Sequence, residues 1–260
     1  MIKAVFLDVD GTLTSLETRA IPESAIKAIS MARQNGVKIF IATGRHTLMP
    51  QERGLISDIE FDGYVAINGQ LCHLHDNTPV FTLPLDAGDA RLVLDACDRG
   101  NFPCLMVGLD KMGVTAKTAR VEEFHRMVDI EVPPVISAAE FGSDQIFSLM
   151  PYVDTDEEPL VLAGLKNSTS ARWSALATDI IPAESGKEKG IEIFLNRFNI
   201  KREECMACGD GDNDISMIRY AGVGVAMCTG RPGAISAADF VAPAPIDDGL
   251  YYTFKKYNII

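Results

Sequence analysis

Apolar residues first gather in "AVFL" at 4–7, where β-branched and aromatic side chains suit a strand, and the run breaks at Asp8. This predicts a strand over 3–8. Similar short runs predict strands at 38–42 ("KIFIA"), 64–67 ("YVAI"), 204–208, 222–226 and 239–242. Helical spacing fills the gaps. One helix starts near Pro22-Glu23, where proline suits a first turn, and stops at Gly36. Others are expected over 187–198, 213–221 and 232–238, at the C-terminus, and briefly after Arg45. Strands that are apolar nearly throughout, alternating with helices, predict a parallel α/β sheet covered on both faces. Ligands of such sheets sit beyond the carboxyl ends of the strands, where Asp8, Asp10 and Thr43 fall.

Residues 70–82 alternate around Asp76-Asn77 and predict a hairpin. From about 83 to 182 the alternation loses its regularity. A helix is expected at 87–99, strands at 103–108 and 112–116, a helix at 120–128, a strand at 145–150, a helix at 155–165 and a strand at 174–181. This reads as an α+β module (83–182) inserted into a split α/β domain (1–82 and 183–260).

Acidic residues outnumber basic ones, 36 to 24, giving a net charge of −12. Nucleic acid and anionic membrane are therefore not expected as partners. An anionic substrate would need local cations or a metal ion to draw it in. No stretch approaches the roughly 18–20 apolar residues of a membrane span, and no leader is expected before the first strand. A cytoplasmic location is expected. The six cysteines include Cys205-Met206-Ala207-Cys208, a C-x-x-C spacing. It lies in an apolar run, which favours small core residues over a metal or redox pair.

The candidate chemistry starts with "DVDGT". Two carboxylates so close, Asp8 and Asp10, would repel unless a proton or a cation intervened, and hard oxygen ligands favour Mg²⁺. Gly11 allows a sharp turn that can present amides to an anion. The competing reading is a helix cap or an Asx turn. A second acidic run, "CGDGDND" at 208–214, also sits between a strand and a helix and suits a metal with an anion-receptive helix start. Its spacing does not fit a calcium-binding helix-loop-helix. Thr43-Gly44-Arg45 offers a hydroxyl and glycine amides to a phosphate, or merely a cap. Lys187 opens a helix against the dipole, which hints at another task, with Lys189 as the rival.

In this order, "DVDGT", "TGR", a lysine before a late helix and "GDGDND" resemble the four motifs of the haloacid dehalogenase superfamily. The insert resembles the class IIB cap. With "GVGVAM" (222–227) and "AADFVAPAPIDDG" (237–249), the chain is most similar to the Cof-like sugar-phosphate phosphatases. The resemblance implies a Rossmann-like α/β core with an inserted α+β cap. It also implies a Mg²⁺-dependent phosphatase acting on a small phosphorylated metabolite, foremost a hexose phosphate, through an aspartyl-phosphate.

Residue by residue, Asp8 matches the nucleophile and Asp10 the general acid/base. The metal set is Asp8, Asp10 (through its main-chain carbonyl) and Asp210, with Asp214 beside the metal. Gly11, Thr43, Gly44, Lys187 and Asn213 match phosphate-holding positions. Substrate choice is expected from the cap and from Arg45, Asn68 and Gly69; Arg172 and Trp173 are candidate sugar contacts, with packing of Trp173 the alternative. Two further readings stay open: a phosphomutase, and a phospho-accepting receiver.

Overall fold

The computed structural model describes residues 1–48, 54, 56, 59–128, 130–142, 145–172 and 174–260. The helix expected after Arg45 falls largely outside them, as does Trp173. The described strands are β1 (Ala4–Leu7), β2 (Lys38–Ala42), β3 (Gly63–Ala66), β4 (Leu71–Leu74), β5 (Pro79–Thr82), β6 (Cys104–Val107), β7 (Met112–Val114), β8 (Ser148–Pro151), β9 (Ser168–Ala171), β10 (Asp179–Pro182), β11 (Cys205–Gly209), β12 (Val223–Met227) and β13 (Phe240–Ala242). The chain divides into two compact units, Met1–Thr82 with Gly186–Ile260, and Leu83–Ser185.

The first unit is an eight-stranded sheet in the order β13-β12-β11-β1-β2-β3-β4-β5. The strands from β13 to β3 are parallel, and β4 and β5 form the antiparallel hairpin at one edge. Alternation along β1 sends Val5 and Leu7 to one face and Ala4 and Phe6 to the other. The first face is covered by helices Glu23–Gln34 and Gly249–Lys256, the second by Lys187–Phe198 and Ile215–Tyr220. On the second face Phe6 stacks on Phe40 at 4.7 Å between ring centres, and Phe40 meets Phe194 at 4.8 Å. The same alternation settles the C-x-x-C pair. Cys208 packs on the first face and Cys205 on the second, so the two thiols cannot hold one ion.

Register places the site. Leu7 lies opposite Cys208 on one side and Ile41 on the other. Asp8, Thr43 and Asp210 therefore leave the sheet at neighbouring positions of its carboxyl end, although they are distant in sequence.

The second unit is a five-stranded sheet in the order β7-β6-β8-β10-β9, antiparallel throughout. Helix Ala87–Gly100 supplies Val93, Ala96 and Cys97 to its core, and helix Ala119–Val128 supplies Val121 and Phe124. Two expectations change here. The helix expected at 155–165 is the short Glu158–Leu162, followed by Gly164 at φ +86°. The single strand expected at 174–181 is instead the second half of a hairpin, β9–β10. The first half, "STSA", is a half-exposed edge strand without an apolar pattern to announce it.

Candidate active site

Asp8 is the first residue past β1, and its amide still donates to the Cys208 carbonyl at 3.0 Å. Its side chain is buried and meets the fully buried Lys187, whose Nζ donates to Asp8 Oδ1 at 2.6 Å and to Asp214 Oδ1 at 2.5 Å. The other oxygen of Asp214 accepts the amides of Asp210 and Gly211 at 2.9 and 2.8 Å. Asp214 therefore anchors both the lysine and the 210–211 loop. One oxygen each of Asp8, Asp210 and Asp214 lie within 4.8 Å of one another. Among the described residues this is the one such acidic or metal-ligating cluster.

The charges in this cluster do not balance. Burial first, then the Asp214 charge, raise the Asp8 carboxyl well above the usual carboxylate range, against the pull of Lys187. Burial and the Asp214 charge raise Asp210 to about 6. Burial opposes the Lys187 charge, but Asp8 and Asp214 outweigh it and raise its pKa, so the lysine is cationic. One buried cation faces three carboxyls. Hard oxygen donors in that excess, closely spaced, fit a Mg²⁺ ion. Asp8 and Asp210 are the fitting ligands, because both oxygens of Asp214 already accept hydrogen bonds.

Gly11 makes the approach of the two acidic loops possible. Its φ is +91°, and a Cβ there would lie 2.4 Å from Asp210 Oδ2. The next residue, Thr12, is buried and donates from its hydroxyl to Asp210 Oδ1 at 3.0 Å. Sequence reasoning missed Thr12. The signal available was a small hydroxyl side chain directly after the glycine turn.

Asp10 does not join the cluster. The strand stops at Leu7, and the chain turns back through bonds from Leu13 N to the Asp8 carbonyl and from Gly11 N to the Thr14 carbonyl, each 3.1 Å. Strand alternation therefore does not carry as far as Asp10. Its carboxylate is half-exposed and takes a forked pair from Arg45, Nη2 to Oδ1 at 2.7 Å and Nε to Oδ2 at 2.9 Å. Arg45, expected as a substrate contact, has this fork engaged by Asp10. Thr43 is buried, and its Oγ1 accepts the Arg45 amide at 3.1 Å. Gly44 is exposed, a Cβ there would lie 3.4 Å from the Asn68 side-chain amide, and Asn68 Oδ1 accepts from Asn213 Nδ2 at 3.0 Å.

Arg172 has an internal role. Its guanidinium donates to Glu158 at 2.6 Å and to the carbonyls of Val153, Asp154, Ser174 and Ala177 at 2.8–3.3 Å. It ties the loop after β8 to the segment between β9 and β10, so the guanidinium expected to contact a sugar is engaged within its own module.

The parallel sheet thus carries at one end a carboxylate just past its central strand, a buried lysine and a second acidic loop. The sequence matches the haloacid dehalogenase-like hydrolases over residues 5–254, and the chain belongs to that family. A phosphatase of the superfamily from Bacteroides thetaiotaomicron is 34% identical, with a TM-score of 0.91, covering 100% of this chain and 96% of that one. A solved structure described as a subclass IIB sugar phosphatase is 33% identical, with a TM-score of 0.86, covering 99% of this chain and 100% of its own. YkrA of Bacillus subtilis (strain 168) is 29% identical over 99% of this chain and 98% of its own length. The chain is a phosphatase of this superfamily. The receiver reading is thereby set aside. No described helix is long and apolar enough to cross a membrane.

Proposed function

We propose that this phosphatase is Mg²⁺-dependent and hydrolyses small phosphorylated metabolites, hexose phosphates foremost, through an aspartyl-phosphate on Asp8. The supporting observation is the placement of Asp8: a carboxylate at a strand tip, bonded to a buried lysine and within reach of Asp210. Substrate choice is assigned to the Leu83–Ser185 module, as a cap. The similarity to a solved sugar phosphatase supports the substrate class.

In the first half-reaction a carboxylate oxygen of Asp8 attacks phosphorus while the ester P–O bond breaks, and the leaving oxygen takes a proton from Asp10. In the second, water gives a proton to Asp10 and attacks the same phosphorus, freeing Asp8 and inorganic phosphate. Each Asp10 oxygen accepts one bond from Arg45, which holds the carboxylate in place and leaves a second lone pair on each oxygen to carry the proton. Lys187, Thr43, the amides of the Gly11 and Gly44 turns and the Asn213 side chain would hold the non-bridging oxygens. Asp8, Asp210 and the Asp10 carbonyl would hold Mg²⁺, which supplies charge neutralisation between carboxylate and phosphate.

Two outcomes are expected. Chelation by EDTA removes turnover of p-nitrophenyl phosphate, and added Mg²⁺ restores it. Mg²⁺ also raises the melting temperature of the wild type by mass action, and raises that of Asp210→Asn far less. The sign of its pH dependence follows from Asp8 and Asp210. Both carboxyls are raised in the folded state, so between the unfolded value of about 4 and about 6 the native chain keeps protons that the unfolded chain has lost. Without metal, this site's contribution to stability falls as pH rises through that window. Protons compete with the ion there, so the Mg²⁺ shift is larger at pH 7 than at pH 5. Full turnover in EDTA would remove the metal from the mechanism.

A further inference from the structure

Three successive residues after β3 adopt left-handed backbone: Ile67 at φ +48°, Asn68 at +50° and Gly69 at +91°. Glycine and asparagine accept this region readily, but a β-branched isoleucine does not. Such strain persists only where the surroundings over-determine it, and it gathers at functional sites. The surroundings here are the loops of the site itself. Ile67 N donates to the Arg45 carbonyl at 3.1 Å, and Asn68 N to the Thr43 carbonyl at 3.0 Å. Asn68 Oδ1 accepts from Asn213 at 3.0 Å, and a Cβ at Gly44 would lie 3.4 Å from the Asn68 side-chain amide. At Gly69 a Cβ would lie 2.0 Å from the carbonyl oxygen of Gly186, the residue before Lys187. One short turn thus touches the loops of Thr43, Asn213 and Lys187 together.

We infer that Ile67–Gly69 is a positioning element that sets the spacing of the three phosphate-holding loops, and that Asn68 acts through Asn213. This rests on the proposed role of those loops. Asn68 is a positioning residue here; it orients the Asn213 amide and does not itself bind phosphate.

The test is a double-mutant cycle read with p-nitrophenyl phosphate and Mg²⁺. Asn68→Gly keeps the left-handed backbone accessible and removes only the amide. It is expected to lower kcat/KM about tenfold, the scale of one hydrogen bond, while the variant stays fully folded at the assay temperature. Asn213→Ala should lower it at least as much, and the double variant should fall no further than Asn213→Ala alone. Additive losses would mean that Asn68 acts independently, for instance by touching substrate, and would overturn the inference. So would a wild-type kcat/KM in Asn68→Gly. The same cycle, read as affinity for inorganic phosphate by calorimetry, separates the two levels. A chain that binds phosphate with this non-additive pattern but does not hydrolyse the ester counts against the proposed mechanism and supports the positioning role. Additive phosphate affinities count against the positioning role.

Discussion

Asp8→Asn is expected to lower kcat for p-nitrophenyl phosphate at least ~10⁴-fold, the scale on which loss of a covalent nucleophile acts, while the fold is kept. The amide is nearly isosteric, and its Oδ1 can still accept from Lys187 at the position Asp8 Oδ1 holds. It cannot attack phosphorus. The substitution also removes one of three crowded carboxyls, whose ionisation burial and Asp214 already oppose. The melting temperature at neutral pH should therefore hold or rise. Steady-state rates with thermal unfolding of the same preparation check both halves. Turnover within tenfold of wild type would refute the assignment.

The second large effect belongs to Lys187, whose side chain is fully buried between Asp8 and Asp214. Removing one partner of a buried ionic cluster leaves uncompensated charge and costs about 3–5 kcal/mol. Lys187→Met is expected to lose stability on that scale at pH 7 and to lower kcat about 10²–10³-fold, as for removal of a group that stabilises transition-state charge. The raised lysine is charged throughout pH 5 to 8, so pH dependence in that range comes from the carboxyls. With the cation gone, the buried Asp8 carboxyl, already raised by burial, is less costly when protonated, and the stability deficit should shrink as pH falls from 7 to 5. Lys187→Met combined with Asp214→Asn should regain stability without regaining activity. Denaturant titration at both pH values measures this. An undiminished stability in the single variant would mean that the lysine is not buried between two carboxylates.

Much of this architecture is legible in the sequence because its strands are short apolar runs ended by polar residues. "AVFL" before Asp8 and "KIFIA" before Thr43 mark both the strand and the edge where chemistry can occur. Register then brings Asp8 and Asp210 together, and adjacency across some two hundred residues is not visible in local pattern. Other placements follow from contacts that no local pattern shows. The strand ends at Leu7, so Asp10 lies beyond its alternation, and its carboxylate pairs with Arg45. Arg172 looked available because sequence cannot show carbonyls from separate loops converging on one guanidinium. Thr12 and the strained Ile67 carry no periodic signal. Their roles depend on what folds against them.

The proposed mechanism turns on phosphoryl transfer to Asp8, the first residue past β1. Acid-quenching the wild-type enzyme with Mg²⁺ and substrate during the first turnover, reducing the trapped acyl phosphate with borohydride and mapping the peptides by mass spectrometry tests it most directly. Reduction of Asp8 to homoserine, absent from the sample lacking substrate, is the predicted result. Modification of another carboxylate such as Asp210, with Asp8 untouched during full turnover, would contradict it.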